Sequence, residues 1–105
     1  MKAGKLDREI TIEHPVQSTD ELGGIETTWM QKAQVWASKE DVSDGERARV
    51  SELGASVTTR FRIHWGADAK VTDRVICEGR TYDLVAVKEI GRHEGQELSG
   101  NARAE

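Results

Sequence analysis

Histidine, cysteine, serine and carboxylate side chains are the groups from which a small chain builds catalysis or a metal centre, and here their spacing argues against both. His14, His64 and His93 are the three histidines, and no two stand the roughly three to five residues apart that zinc-type ligand pairs need. Cys77, the single cysteine, lies in a predicted strand, where a buried thiol packs as a small hydrophobe. Serine, histidine and aspartate occur without a G-x-S-x-G elbow to expose a nucleophile. The glycines of ELGGIE and EIGRHEG lack the patterns that cradle phosphate and read as turns. Glu40 and Asp41 adjoin Lys39 in a polar stretch, with nothing to desolvate them and raise a pKa. The expectation is a protein that is not an enzyme and carries no metal or cofactor.

One locally basic stripe remains, Arg60, Arg62 and His64, on alternate residues of a single strand. Such a face contacts a phosphate backbone, meets an acidic neighbouring subunit, or pairs with cross-strand acids such as Asp83 or Glu89.

The elements that would position these groups are mostly strands. Residues 6–12 alternate, with Leu6, Arg8, Ile10 and Ile12 on one face, and Pro15 is expected to end that strand. HPVQSTDELGGI then reads as a mobile loop of about ten residues. In IETTWMQKAQVWASKE, Trp29 is at an odd position and Trp36 at an even one. Either a bulge lies between them and both are buried, or the two indoles face opposite sides and one is a subunit contact. In KEDVSDGERARVSELG the Ser43–Glu46 spacing suits a capping box, Ala48, Val50 and Leu53 form an apolar stripe, and Gly54 suits a C-terminal glycine, predicting a short α-helix.

ASVTTRFRIHW is the clearest strand, placing Val57, Thr59, Phe61, Ile63 and Trp65 on the core face. ICEGRTYDLVAV reads as a hairpin turning at Gly79-Arg80, with Tyr82, Leu84 and Ala86 inward. Near Leu98 one weak strand is expected before the chain frays, so residues 1–5 and 99–105 are expected to be flexible ends of a single domain spanning 1–105. The fold class that emerges is all-β, a small antiparallel barrel or sandwich of about six strands with one short α-helix in a long loop.

The totals bound the function. The chain has 105 residues, 36% hydrophobic, 32% charged and 5% aromatic. A domain of this size buries roughly two thirds of its unfolded surface. With 15 basic and 19 acidic residues the formal charge is −4, which disfavours a sequence-independent grip on nucleic acid. A lone cysteine permits no internal disulfide and fits a reducing cytoplasm. The cationic start MKAGKLDREI has no following apolar run, and no stretch of about 18 apolar residues occurs. Neither an export signal nor a membrane association is expected.

The order AGKLDREITIEHP, DELGGIETTWMQKAQVWASKE, GERARVSELGASVTTRFRIHW, DRVICEGRTYDLVAVKEIGRHEGQEL resembles the phage head-tail joining family, also called head closure or stopper proteins. The resemblance runs from residue 3 to about residue 98. It rests on Gly4-Lys5-Leu6 with Arg8, Gly23-Gly24 before Trp29, Trp36-Ala37, Glu46-Arg47, Phe61-Arg62-Ile63, Asp73-Arg74 and Gly79-Arg80-Thr81-Tyr82-Asp83. SGNARAE departs from the more apolar closing strand expected of the family.

The resemblance implies a β-barrel that assembles as a homo-oligomeric ring at the neck of a phage, prophage or gene transfer agent particle. Its implied partners are portal and adaptor proteins on the head side and tail tube or tail terminator on the other, with packaged DNA passing close by. It would be made in the bacterial cytoplasm, close the DNA exit channel after packaging, and present the tail attachment surface.

For sites, the resemblance implies that the connection from about Lys39 to Gly54 projects toward the channel, carrying Glu40, Asp41, Asp44, Glu46, Arg47 and Arg49. That segment is expected to be mobile in the free subunit and ordered in the ring. The loop with Gln17, Asp20, Glu21, Leu22 and Gly23 is the second candidate contact, with adaptor, tail or neighbour, and an ordinary hairpin loop is its bland alternative. Rival readings are a tail completion or terminator protein, and a barrel that binds single-stranded nucleic acid. The latter calls for exposed aromatics beside a basic groove, whereas four of the five aromatics fall at plausible core positions.

Overall fold

Alternating apolar residues recur in six segments, and each becomes a strand: β1 (Arg8–Thr19), β2 (Ile25–Asp41), β3 (Thr59–His64), β4 (Arg74–Cys77), β5 (Arg80–Ile90) and β6 (Gly95–Ala102). The computed structural model describes residues 6–41 and 57–103. The strands close into an antiparallel barrel in the order β1-β2-β3-β6-β5-β4. The helix expected around 43–54 lies outside the described residues, and no helix occurs among those described.

The inward residues meet as one core. Ile10, Ile12, Phe61, Ile63, Val75 and Leu98 are fully buried. Phe61 meets Tyr82 edge to face, with ring centroids 5.1 Å apart, the arrangement ring quadrupoles favour.

Two bulges decide which side chains join that core. In the β1–β2 ladder Ile12 pairs Ala33 and Glu13 pairs Gln31, so Lys32 is an extra residue. In the β5–β6 ladder Leu84 pairs Gly100 and Ala86 pairs Ser99, so Val85 is extra. Each insertion reverses the side-chain alternation beyond it. Ala86, expected inside, is therefore exposed, and Val87 packs on the core instead. Opposite the second bulge the backbones come so close that a Cβ at Gly100 would overlap the carbonyl of Asp83.

Other sequence expectations shift. Pro15 does not end β1, which runs on to Thr19. Pairing of β1 with β4 stops at Glu13 opposite Arg74, so Pro15 lies where one side of β1 is an open edge, the place sheets tolerate proline. The ten-residue loop contracts to residues 20–24, because 14–19 and 25–30 pair as a ribbon. The tight hairpin turns at Glu78-Gly79, one residue earlier than expected, since Cys77 pairs Arg80. Both turn residues have positive φ, 52° and 80°, as a type I′ turn requires.

The largest correction concerns the end of the described chain. In place of a weak strand and fraying from residue 99, β6 continues to Ala102 and pairs with both β3 and β5. The apolar content of β6 is low because Ser99 and Gly100, though buried, sit where backbones crowd and small residues are needed.

One end of the barrel is stoppered by residues 65–73. The Gln96 side chain donates to the Ala69 carbonyl at 3.1 Å and accepts from the Ala69 N–H at 3.0 Å. Asp73, only 3% exposed, accepts from the Lys70 N–H at 2.8 Å and from Lys32 Nζ at 2.9 Å. Lys32 is the bulge residue of β2. The bulge thus aims its ammonium at the one buried aspartate among the described residues.

Candidate functional site

The β1–β2 ribbon is the feature that distinguishes this barrel. Pairing with β4 covers only residues 10–13 of β1, and pairing with β3 covers only residues 37–41 of β2. Residues 14–19 and 25–30 therefore run past the barrel as a two-stranded arm, consistent with the 48 × 31 × 26 Å extents. At its tip the Asp20 carboxylate accepts from the N–H groups of Leu22 and Gly24 at 2.9 and 2.7 Å. Gly23 has φ +83°. This Asx-type turn explains why DELGG reads as a turn.

Of the candidate contact residues here, Gln17 lies within β1 opposite Thr27, while Asp20, Glu21, Leu22 and Gly23 form the turn. All are exposed. Leu22 is 97% exposed, Ile25 76% and Met30 53%, an unusual concentration of apolar surface on one projecting element.

The bulge at Lys32 also settles the two indoles, in neither of the expected ways. Trp29 pairs Pro15 and Trp36 pairs Glu9, so both point away from the core. Trp29 is half-buried beneath Arg74, whose guanidinium carbon lies 4.3 Å from the ring centroid. Arg74 in turn donates to Glu13 at 2.7 Å. Trp36 is 57% exposed. Trp65, expected in the core, emerges just past β3, 40% exposed, and stacks on His93 with centroids 4.4 Å apart. Phe61 and Tyr82 are thus the two aromatics inside the barrel, not four of five.

Sequence reasoning missed the site that results. Below the last β2–β3 pair, Ala37 with Ile63, the two chains part and leave an open, mainly apolar cleft of about 400 Å³. Ala33 and Val35 floor it, and Trp36, Trp65 and Ala67 stand around it, with His64 at its rim. The even position of Trp36 was the signal available in the sequence.

The basic stripe resolves into paired charges. Arg62 Nε donates to Glu97 at 3.1 Å and its Nη1 lies 3.7 Å from Glu40, while Arg60 stands 3.9 Å from Glu97. The partners are thus on β6 and β2, not Asp83 or Glu89, because β3 lies between those two strands. Two arginines facing two carboxylates are not the cationic track that a stacking platform for single strands requires. His64 is exposed and turned to the cleft.

Glu40 and Asp41 form the exposed end of β2. Asp44, Glu46, Arg47 and Arg49 lie outside the described residues. Among the described residues no cluster of three His, Cys, Asp or Glu is placed to hold a metal. The Cys77 thiol is buried, and burial, aided by Glu78, pushes its pKa up, which disfavours the nucleophilic thiolate. No helix among these residues is long and apolar enough to cross a membrane.

A closed barrel that holds out a ribbon and offers an apolar cleft belongs to the class of scaffolds that present surfaces. The chain belongs to the phage head completion protein family, whose pattern matches residues 1–99; members are structural components of the virion. Protein SF1141 from Shigella flexneri 2a, solved in solution, is similar at 27% identity and a TM-score of 0.83, over 100% of this chain and 99% of that one. A chain in the virion of a native gene transfer agent particle shares the fold, at 24% identity and a TM-score of 0.65, over 95% of this chain and 97% of that one. No curated protein matches the chain.

Proposed function

We propose that this head completion protein assembles as a homo-oligomeric ring at the head-tail junction, closes the DNA exit channel after packaging, and gives the tail its attachment surface. The observation that carries this reading is the arm. An isolated two-stranded ribbon is marginal in water, and this one extends past its own barrel with Leu22 and Ile25 exposed. A neighbouring protein surface is what such an element lacks. Head-to-tail contact between two different patches of each subunit closes a ring, and the arm and the barrel supply different patches.

Portal and adaptor proteins on the head side and tail tube or terminator on the other are the partners in this reading. Assembly occurs in the bacterial cytoplasm and the product resides in the particle neck. The stretch from Lys39 through residue 54 is assigned to the channel side on family likeness, with Glu40 and Asp41 at its described edge. Net charge −4 suits a channel that DNA must later leave, because a strongly basic lining would retain the genome.

Deleting the gene from the producing strain and imaging particles by electron microscopy tests the proposal. Tailless heads that have lost DNA, beside normal free tails, are the expected result. Tails of abnormal length would reassign the protein to tail termination, and normal infectious particles would overturn the assembly role.

A further inference from the structure

The arm tip and the cleft are complementary in chemistry, and they cannot meet within one molecule. The tip presents two aliphatic side chains, Leu22 and Ile25, on a turn tightened by Asp20. The cleft is apolar, flanked by two indoles and, at about 400 Å³, roomy enough for both. Ile25 stands eight residues up the same strand from Ala33 on the cleft floor, a rise of about 27 Å at roughly 3.4 Å per residue. A paired ribbon cannot double back over that distance, so a tip that fills this cleft comes from another copy.

The cleft is built to receive rather than to collapse. The Trp65 ring is held by its stacking on His93, and its main chain by a bond from the backbone N–H to the Glu94 carbonyl at 3.2 Å. The segment after it is fastened by the two Gln96 bonds to Ala69. A preorganised cleft avoids the ordering cost that weakens association, and buried tryptophans are the residues that most often dominate interface energetics.

We propose that Leu22 and Ile25 at the arm tip of one copy seat between Trp36 and Trp65 of the next copy. This inference rests on the ring assembly proposed above and names its repeating contact. Knob and cleft are different patches, so each subunit gives one and takes one. The contact is heterologous and propagates until rotation closes it.

The test places Leu22→Cys and Ala67→Cys in one chain, with buried Cys77 left in place, and oxidises purified particles. A ladder of disulfide-linked multimers of this chain, absent from either single variant, is expected. Particles that hold the double variant at wild-type copy number yet yield no ladder would overturn the contact. Independently, Leu22→Asp with Ile25→Asp changes exposed residues alone, so circular dichroism should match wild type while incorporation into particles falls about tenfold or more. Ser18→Asp, on the other face of the arm, should incorporate normally. Wild-type incorporation of the Leu22/Ile25 variant would overturn the proposal. Gene deletion separates the two layers: tailless heads in the deletion strain, with no ladder from the double cysteine variant, remove this contact and leave the junction role, whereas normal particles in the deletion strain remove both.

Discussion

The carboxylate of Asp73 ties the 65–73 connection to β2, accepting from the Lys70 backbone and the Lys32 ammonium while 3% exposed. Asp73→Ala leaves a part-buried ammonium and a backbone N–H without their acceptor. The expected loss is about 2–3 kcal/mol in urea unfolding. Lys32→Met keeps the Lys70 bond and should cost less. The Asp83–Arg103 pair behaves differently because it is exposed. Arg103 donates through Nε and Nη2 to the two Asp83 oxygens at 3.1 and 2.6 Å. These bonds hold the Asp83 carboxyl below its usual range. A depressed folded-state pKa contributes stability that is full above the unfolded value of about 3.9 and lost as pH falls through the lower folded one. Arg103→Gln should thus lower the urea midpoint at pH 7 modestly, since solvent screens the pair. The difference from wild type should shrink below about pH 4, and an unchanged difference at pH 2 would contradict the linkage.

At the level of strands, the bulge at Val85 makes a prediction opposite to simple alternation. Alternation from Tyr82 and Leu84 puts Ala86 inside, but the bulge turns it out and brings Val87 in. Val87→Asp should destabilise by about 2 kcal/mol and Ala86→Asp by less than about 0.5, read from thermal unfolding of the two variants. The same device marks the limit of sequence reading. The β class, the strand number, the DELGG turn and the Arg60–Arg62 stripe follow from alternation and turn chemistry within single segments. The odd and even positions of Trp29 and Trp36 allowed a bulge between them, but alternation alone did not say which face the indoles share, and nothing in the residue types around Val85 marked the second bulge that turns Val87 inward. The partners of Arg60 and Arg62 depend on β3 lying between β2 and β6, a pairing that joins residues 59–64 to 95–100. The cleft exists only because β2 and the chain leaving β3 diverge after Ala37 and Ile63. No local pattern reports a divergence.

For the molecule as a whole, Cys77 is a native reporter of integrity. Its thiol lies in the barrel core, 1% exposed, with its pKa raised by burial. Ellman's reagent at pH 8 should label it only through opening of the barrel, so the labelling rate should rise with urea in step with global unfolding. Rapid labelling of the native protein would show that β4 opens locally. Barrel closure also has a consequence for synthesis. β6, sixth in chain order, is hydrogen-bonded to β3 on one side and β5 on the other. Until residue 102 has left the ribosome, β3 and β5 both keep an open edge, and unpaired edges make a chain prone to pair with other chains and aggregate. A chain that stops before β6 therefore keeps two open edges and should aggregate rather than close as a barrel subunit.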